Sequence, residues 1–342
     1  HVLSKNVPNK DLSKIEDIIL QDLENVVGRT NFGTLEYKGK LENTELSLDY
    51  QQNFAKGFFA EVNTCIVSQK ISDITYTDKT PDDGIYPNKN TIQWQRFLNN
   101  YSNIMSYYDL DVSSAKASGF SNLAILAGWT YNKVDTDYLD YADATIRAGV
   151  LLPSPSDENI NNIFERALST VDFFGFPISF DGAIGSYNWL SLGVHASAFF
   201  WLNKTKEIRI KTDSEQNGYI KLAKTSTKID PGAVWVLGMF AKAEHILKGF
   251  SLLCAYSLTK KDATTLTPQT TISTAAIASN DQVYDEWRKH TINFALEYDV
   301  EKENKRCVPA IRISYNRVVG GKRVFKSLLW GGTIGIDIAF KF

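Results

Sequence analysis

The chain closes on LLWGGTIGIDIAFKF, Leu328 to Phe342, an alternation that runs to the last residue. Counting back, Phe342, Phe340, Ile338, Ile336, Ile334, Gly332 and Trp330 share one parity. Lys341, Ala339, Asp337, Gly335, Thr333 and Gly331 share the other. A period of two is a β-strand with one apolar face. It does not say whether that face meets a protein core or lipid, since a terminal strand of a soluble sandwich reads the same way.

The pattern recurs. Thr291 to Val300 sets Ile292, Phe294, Leu296 and Tyr298 against Asn293, Ala295, Glu297 and Asp299. Pro309 to Arg317 sets Ile311, Ile313 and Tyr315 against Arg312, Ser314 and Asn316. Gly249 to Thr259 sets Phe250, Leu252, Cys254, Tyr256 and Leu258 against Ser251, Ala255 and Ser257. Ala142 to Leu152 sets Ala144, Ile146, Ala148 and Val150 against Asp143, Thr145, Arg147 and Gly149. Each has about the nine to eleven residues that a tilted strand needs to cross a bilayer. Further strands are expected at Phe32 to Lys38, Thr44 to Gln51, Lys56 to Ser68, Phe120 to Tyr131, Phe176 to Ile184, Asn188 to Asn203 and Gly232 to His245. With the terminal strand this makes about twelve, within a margin of about two. Lys204 to Thr212 and Tyr219 to Lys228 read as a hairpin prolonging two neighbours beyond the membrane, with Pro231 marking a bend where it re-enters the sheet.

Helical periods appear in three places. Asp11 to Val27 carries Ile15, Ile18, Ile19, Leu23 and Val26 on one stripe, with a Ser13 to Glu16 capping box and Gly28 as its stop. Thr91 to Met105 and Asp157 to Val171 lie between strands and read as helical insertions in long loops.

Composition narrows the function. The 37 Lys plus Arg against 39 Asp plus Glu leave a net charge of -2, so nothing points to nucleic acid. No linker divides the chain, which reads as an N-terminal segment, 1–30, and one large unit, 31–342. Cys65, Cys254 and Cys307 form no disulfide framework or zinc motif, and no run is long and apolar enough for a membrane helix. The start, HVLSKNVPNK, lacks the order of a signal peptide, which a mature exported protein would have lost. GxSxG, GxxxxGK[ST], HExxH and EF-hand patterns are missing. His195 and Ser197 share a strand face two residues apart, but a base and a nucleophile also need an acid and an oxyanion site, which the sequence does not fix. No enzyme activity, metal or cofactor is expected.

With Phe342 last and apolar residues alternating back to Ile334, the ending resembles the assembly signal of Gram-negative outer-membrane β-barrels. The resemblance implies recognition of the C-terminal strand by the barrel-assembly machinery, contact with outer-membrane lipid, and both chain ends on the periplasmic side. The fold class expected is all-β: a transmembrane antiparallel up-and-down β-barrel. Such barrels have short inner turns and long outer loops. If the last strand runs inward, Ile246 to Gly249 and Val300 to Cys307 become inner turns, and Ile71 to Gly119, Leu152 to Gly175 and Lys261 to Trp287 become outer loops. The wet face then lines a lumen. Its expected residues are Arg147, Arg312, Lys242, Lys289 and His195 with Asp143, Asp181, Glu244, Glu297, Asp299 and Asp337. The leading expectation is a porin-like channel for small hydrophilic solutes or ions. The alternatives are a surface adhesin or structural barrel, and a barrel that takes up hydrophobic substrates. Porins often form homo-oligomers, but no interface is legible in the chain.

Overall fold

The computed structural model describes residues 33–82, 88–134, 139–153, 159–164, 172–214, 216, 220–247, 249–299, 307–324 and 326–338. The expected helix Asp11 to Val27, most of the expected helix Asp157 to Val171 and the terminal Phe340 and Phe342 lie outside them. Fifteen strands follow one another: β1 (Leu35–Asn53), β2 (Phe58–Asp78), β3 (Ala115–Phe120), β4 (Leu123–Val134), β5 (Tyr141–Leu152), β6 (Gly175–Ser186), β7 (Leu190–Trp201), β8 (Lys204–Ile210), β9 (Ala223–Asp230), β10 (Val234–Leu247), β11 (Phe250–Lys261), β12 (Thr265–Pro268), β13 (Trp287–Asp299), β14 (Cys307–Lys322) and β15 (Leu328–Ile338).

Twelve of them form one antiparallel up-and-down sheet in the order β1-β2-β4-β5-β6-β7-β10-β11-β13-β14-β15, with β3 also paired to β2. This is the expected architecture and the expected number, reached differently. The two strands expected at Phe32 to Lys38 and Thr44 to Gln51 are one: Leu35 to Lys38 and Thr44 to Gln51 both lie in β1, and Phe32 lies outside the described residues. The polar stretch around Gly39 looks like a turn in sequence, but it faces a bulge in β2: the register slips between Lys38 and Lys40, opposite Asp73 at φ 55°. The missing strand is made up by β3, which continues β4 along the same partner: β2 pairs with β4 over Phe58–Asn63 and with β3 over Ile66–Ile71. The sheet thus makes eleven crossings.

Connections alternate in length. At one end they are 54–57, 135–140, 187–189, 248–249 and 300–306; at the other, 79–114, 153–174, 202–233, 262–286 and the short 323–327. Thr34 O accepts from Lys79 N at 2.8 Å, so the chain enters β1 at the long-loop end. The chain start itself lies outside the described residues. Because β1 and β15 run in the same direction, direct pairing between them would be parallel, and an antiparallel closure needs a further crossing.

The long loops build a cap. Lys204–Ile210 and Ala223–Asp230 do form a hairpin, but it does not prolong β7 and β10: together with β12, from the next long loop, it makes a separate three-stranded sheet. The chain leaves that sheet at Pro231 and Gly232, whose φ of 69° suits glycine, and turns into β10. Phe173, Ile208, Ile210, Ile229, Leu266 and Ala278 pack as one dry cluster beneath it. The expected helix at Thr91 to Met105 is two, Ile92–Asn99 and Tyr101–Tyr107, broken at Asn100. Tyr101, Ile104, Met105 and Leu110 form a second dry cluster, joined by Ile163, Ile220 and Leu222 from two other loops. Residues 160–164 are turn rather than helix, held by a bridge from Asp111 to Asn162.

Candidate functional site

Away from its two ends, the twelve-stranded sheet keeps most of its charged groups on one face. Ile146, Ile178, Val194, Leu237, Met239 and Ile313 are all about half exposed on the other face. Monomeric soluble proteins rarely expose so continuous an apolar surface; such a patch marks contact with a membrane or with another protein. A groove of about 820 Å³ on this apolar face is floored by small residues such as Ala144, Gly182 and Cys254 between Val194, Met239 and Phe294.

On the polar face, ionisable side chains from β2, β5, β6 and β7 join in a ladder. Glu61 Oε2 lies 3.4 Å from Arg147 Nε, Arg147 Nη1 pairs with Asp181 Oδ2, and Asp181 Oδ1 meets His195 Nδ1 at 2.6 Å. Asn63 Nδ2 donates to the far end of the ladder, Glu61 Oε1, at 2.6 Å. Register explains part of it: Asp181 is the direct cross-strand partner of both His195 and Thr145, and Arg147 sits two residues along β5 from Thr145. Oppositely charged groups on neighbouring and next-but-one strands hold one another upright on this face.

Aromatic rings tighten this wall. Phe59 is buried, with the Arg147 guanidinium 5.6 Å from its ring centroid. A Cβ at Gly128 would overlap that ring, and one at Gly193 would overlap Phe240. Glycine at these two places lets a large ring lie flat on the sheet. Nearer the short-turn end, Tyr141 donates to Ser191 Oγ at 2.7 Å, and Ser191 donates to Glu244 Oε1 at 3.0 Å. Lys242 Nζ lies 3.5 Å from the same Glu244 oxygen.

Of the residues expected to line a lumen, Arg147, Asp181 and His195 are brought together and Lys242 joins Glu244 instead. Asp143 accepts from Asn132 Nδ2 on β4. Glu297 and Arg312 face each other in register across β13 and β14. Asp299 and Asp337 stand opposite Ala310 and Val308, their side chains outside the described residues. His195 meets a carboxylate, so the acid a catalytic pair requires is present in Asp181, but the described contacts bring no nucleophile to its ring. Sequence reading missed Glu61. The signal was its parity with Phe59 and Asn63, in a strand too irregular to assign faces.

No known family profile matches the chain, and no curated protein matches it. Among solved structures, it is similar to an outer membrane channel from Pseudomonas putida F1, at 8% identity over 88% of this chain and 83% of that one, with a TM-score of 0.45.

Proposed function

We propose that this chain is an outer-membrane channel that passes small hydrophilic solutes or ions, without cofactor or chemistry. The observation that carries the reading is the division of the wall: a bare apolar band on one face and, on the other, the ladder Glu61, Arg147, Asp181 and His195. A bilayer around the sheet and water within it would satisfy both faces. Unpaired strand edges in hydrocarbon cost several kcal/mol per stranded group, so the sheet closes on itself. A ring of this size lies between the roughly eight strands that side chains fill and the roughly sixteen that leave a wide channel. Phe59, Phe240 and the ladder narrow it further. A wall bearing both signs of charge sets up a transverse field that sorts solutes by charge without binding them tightly. The short turns then face the periplasm and the cap faces outward, with the C-terminal strand handed to the assembly machinery. Planar-bilayer recording of the purified chain tests this. Discrete conductance steps are expected, with Arg147→Glu plus Arg312→Glu shifting the reversal potential toward cation selectivity, most at low salt. A chain that runs as a heat-modifiable barrel but gives no steps would overturn the channel.

A further inference from the structure

The apolar face changes character along one cross-strand row near the long-loop end. Pairing joins Ile178, Ala198, Trp235, Lys260, Arg288 and Lys322 across six strands, all on the side that carries the apolar band. Half of the row is apolar and half is basic. On the apolar half, Trp235 packs edge-on against Phe200, as an interfacial aromatic does. On the basic half, Arg317 adds a fourth cation from the same face, cross-strand to Ile292 and Leu328.

A cation row directly above hydrocarbon loses hydration unless an anion meets it. Part of the need is met internally: Lys260 lies 2.8 Å from Asp262, Lys322 lies 2.6 Å from Glu286, and Arg323 pairs with Asp285. Those carboxylates sit in the loop 262–286, on the far side of the row from the apolar band. Arg288, at the centre, and Arg317, below it, are exposed, and among the described residues neither has an ion-pair or hydrogen-bond partner. A guanidinium offers a planar fork suited to phosphate oxygens, and three adjacent strands about 4.8 Å apart space the row to embrace one headgroup.

We infer that Lys260, Arg288, Arg317 and Lys322 form a site on the outside of the wall for the phosphate headgroup of an outer-leaflet glycolipid. The site rests on the outer-membrane reading proposed above. It confines specific lipid contact to the sector β11–β14, leaving the sector β6–β10 to nonspecific acyl packing.

The full-length protein in phosphatidylcholine nanodiscs doped with bisphosphorylated or dephosphorylated lipid A provides the test, with lipid retention read by native mass spectrometry. Retention of the bisphosphorylated form is expected to exceed that of the dephosphorylated form by roughly tenfold. Arg288→Glu with Lys322→Glu should abolish the preference and Arg288→Gln should weaken it. Lys133→Glu, on the same face at the short-turn end, should leave it intact. Equal retention of the two lipids by the unaltered protein, or a preference that survives the double reversal, would overturn the site. Heat-modifiable mobility and conductance of the same samples separate the two readings: a conducting barrel indifferent to phosphate sinks only the lipid site.

Discussion

The wall and the cap are both sheets with a period of two, and they turn their apolar sides in opposite senses, one exposed and one buried. In the wall, Leu237 is 55% exposed and Met239 60%, while charged residues share the sheltered face. In the cap, Ile210 is 1% exposed and Leu266 0%, while Lys224, Ser226 and Lys228 alternate with buried Thr225, Thr227 and Ile229. Alternation therefore names a face, never its environment. Strand length and connection pattern separate the two: strands of seven, eight and four residues cannot cross a bilayer, whereas twelve-residue strands such as β5, β6, β7 and β11 can.

Two arginines give the sharpest contrast. Arg209 knits three loops: Nε donates to Ile160 O at 3.0 Å, Nη1 to Leu222 O at 2.8 Å, and Nη2 to Tyr108 O at 2.9 Å and Asn161 Oδ1 at 3.1 Å. Burial pulls its pKa down from the usual arginine value. With no carboxylate among these acceptors, its role is to satisfy carbonyls that the loops leave unpaired. Arg209→Met strands them at a cost on the order of 3 kcal/mol. Rapid protease nicking within 79–114 and 202–233 is expected, with heat-modifiable mobility of the wall unchanged. A wall that unfolds with the cap would show that the two are one cooperative unit.

The next largest effect is at Lys221 and Asp281, whose charged groups lie 2.9 Å apart with each side chain 10% exposed. This pair ties the hairpin loop to the loop after β12. Asp281→Asn leaves a nearly buried ammonium short of its counter-charge, a loss of about 2 kcal/mol; Lys221→Met with Asp281→Leu should recover most of it. Hydrogen exchange in 211–230 reads both. The corresponding cut in the wall is milder. Arg147→Met breaks two ion pairs, yet its partners are part-exposed, Glu61 20% and Asp181 39%, so the stability loss is expected to stay below about 1 kcal/mol. Its main effect appears in ion selectivity, which single-channel reversal potentials measure. A large stability loss at Arg147 would mean that the ladder is dry and the lumen closed there.

The wall was legible because its strands are long and regular. From β4 onward the strands of the twelve-stranded sheet alternate over most of their length, so parity put Arg147, Asp181 and His195 on the expected wet face; that they meet one another is seen only in the structure. The alternation of short and long connections followed from the same strands. Where regularity breaks, the sequence misleads: Gly39, opposite a bulge in β2, reads as a turn within the continuous β1, and Ser121 with Asn122 divides β3 from β4 while both pair with β2. In the cap the hairpin of β8 and β9 was legible, but its assembly with the other loops was not, for a different reason. β12 reaches β9 across the whole of β10 and β11, and Arg209 binds carbonyls some fifty and a hundred residues away. Such contacts leave no periodic trace, since each residue involved is polar or isolated in its own segment.

The smallest effect expected concerns acid, and it falls on the cap alone. Asp111 joins two loops through its backbone, accepting from Ile163 N at 3.0 Å and donating to Asn161 O at 2.7 Å. Its carboxylate accepts from Ser113 N at 2.8 Å and Asn162 Nδ2 at 3.3 Å. Hydrogen bonds from the Ser113 hydroxyl and amide, with a further one from Asn162, hold the carboxyl below its ordinary pKa despite an opposing desolvation. A depressed carboxylate contributes stability that is complete above the unfolded pKa of about 3.9 and is lost as pH falls through the lower folded value. Below about pH 4, then, proteolysis at the junction of 111 with 162 should quicken slightly. Asp111→Asn should be looser at neutral pH and flat over the same range, because it has no proton to gain. An equal acid response in the variant would assign the loosening to another carboxylate, and a response in the wall strands would mean that acid acts on the lumen ladder instead.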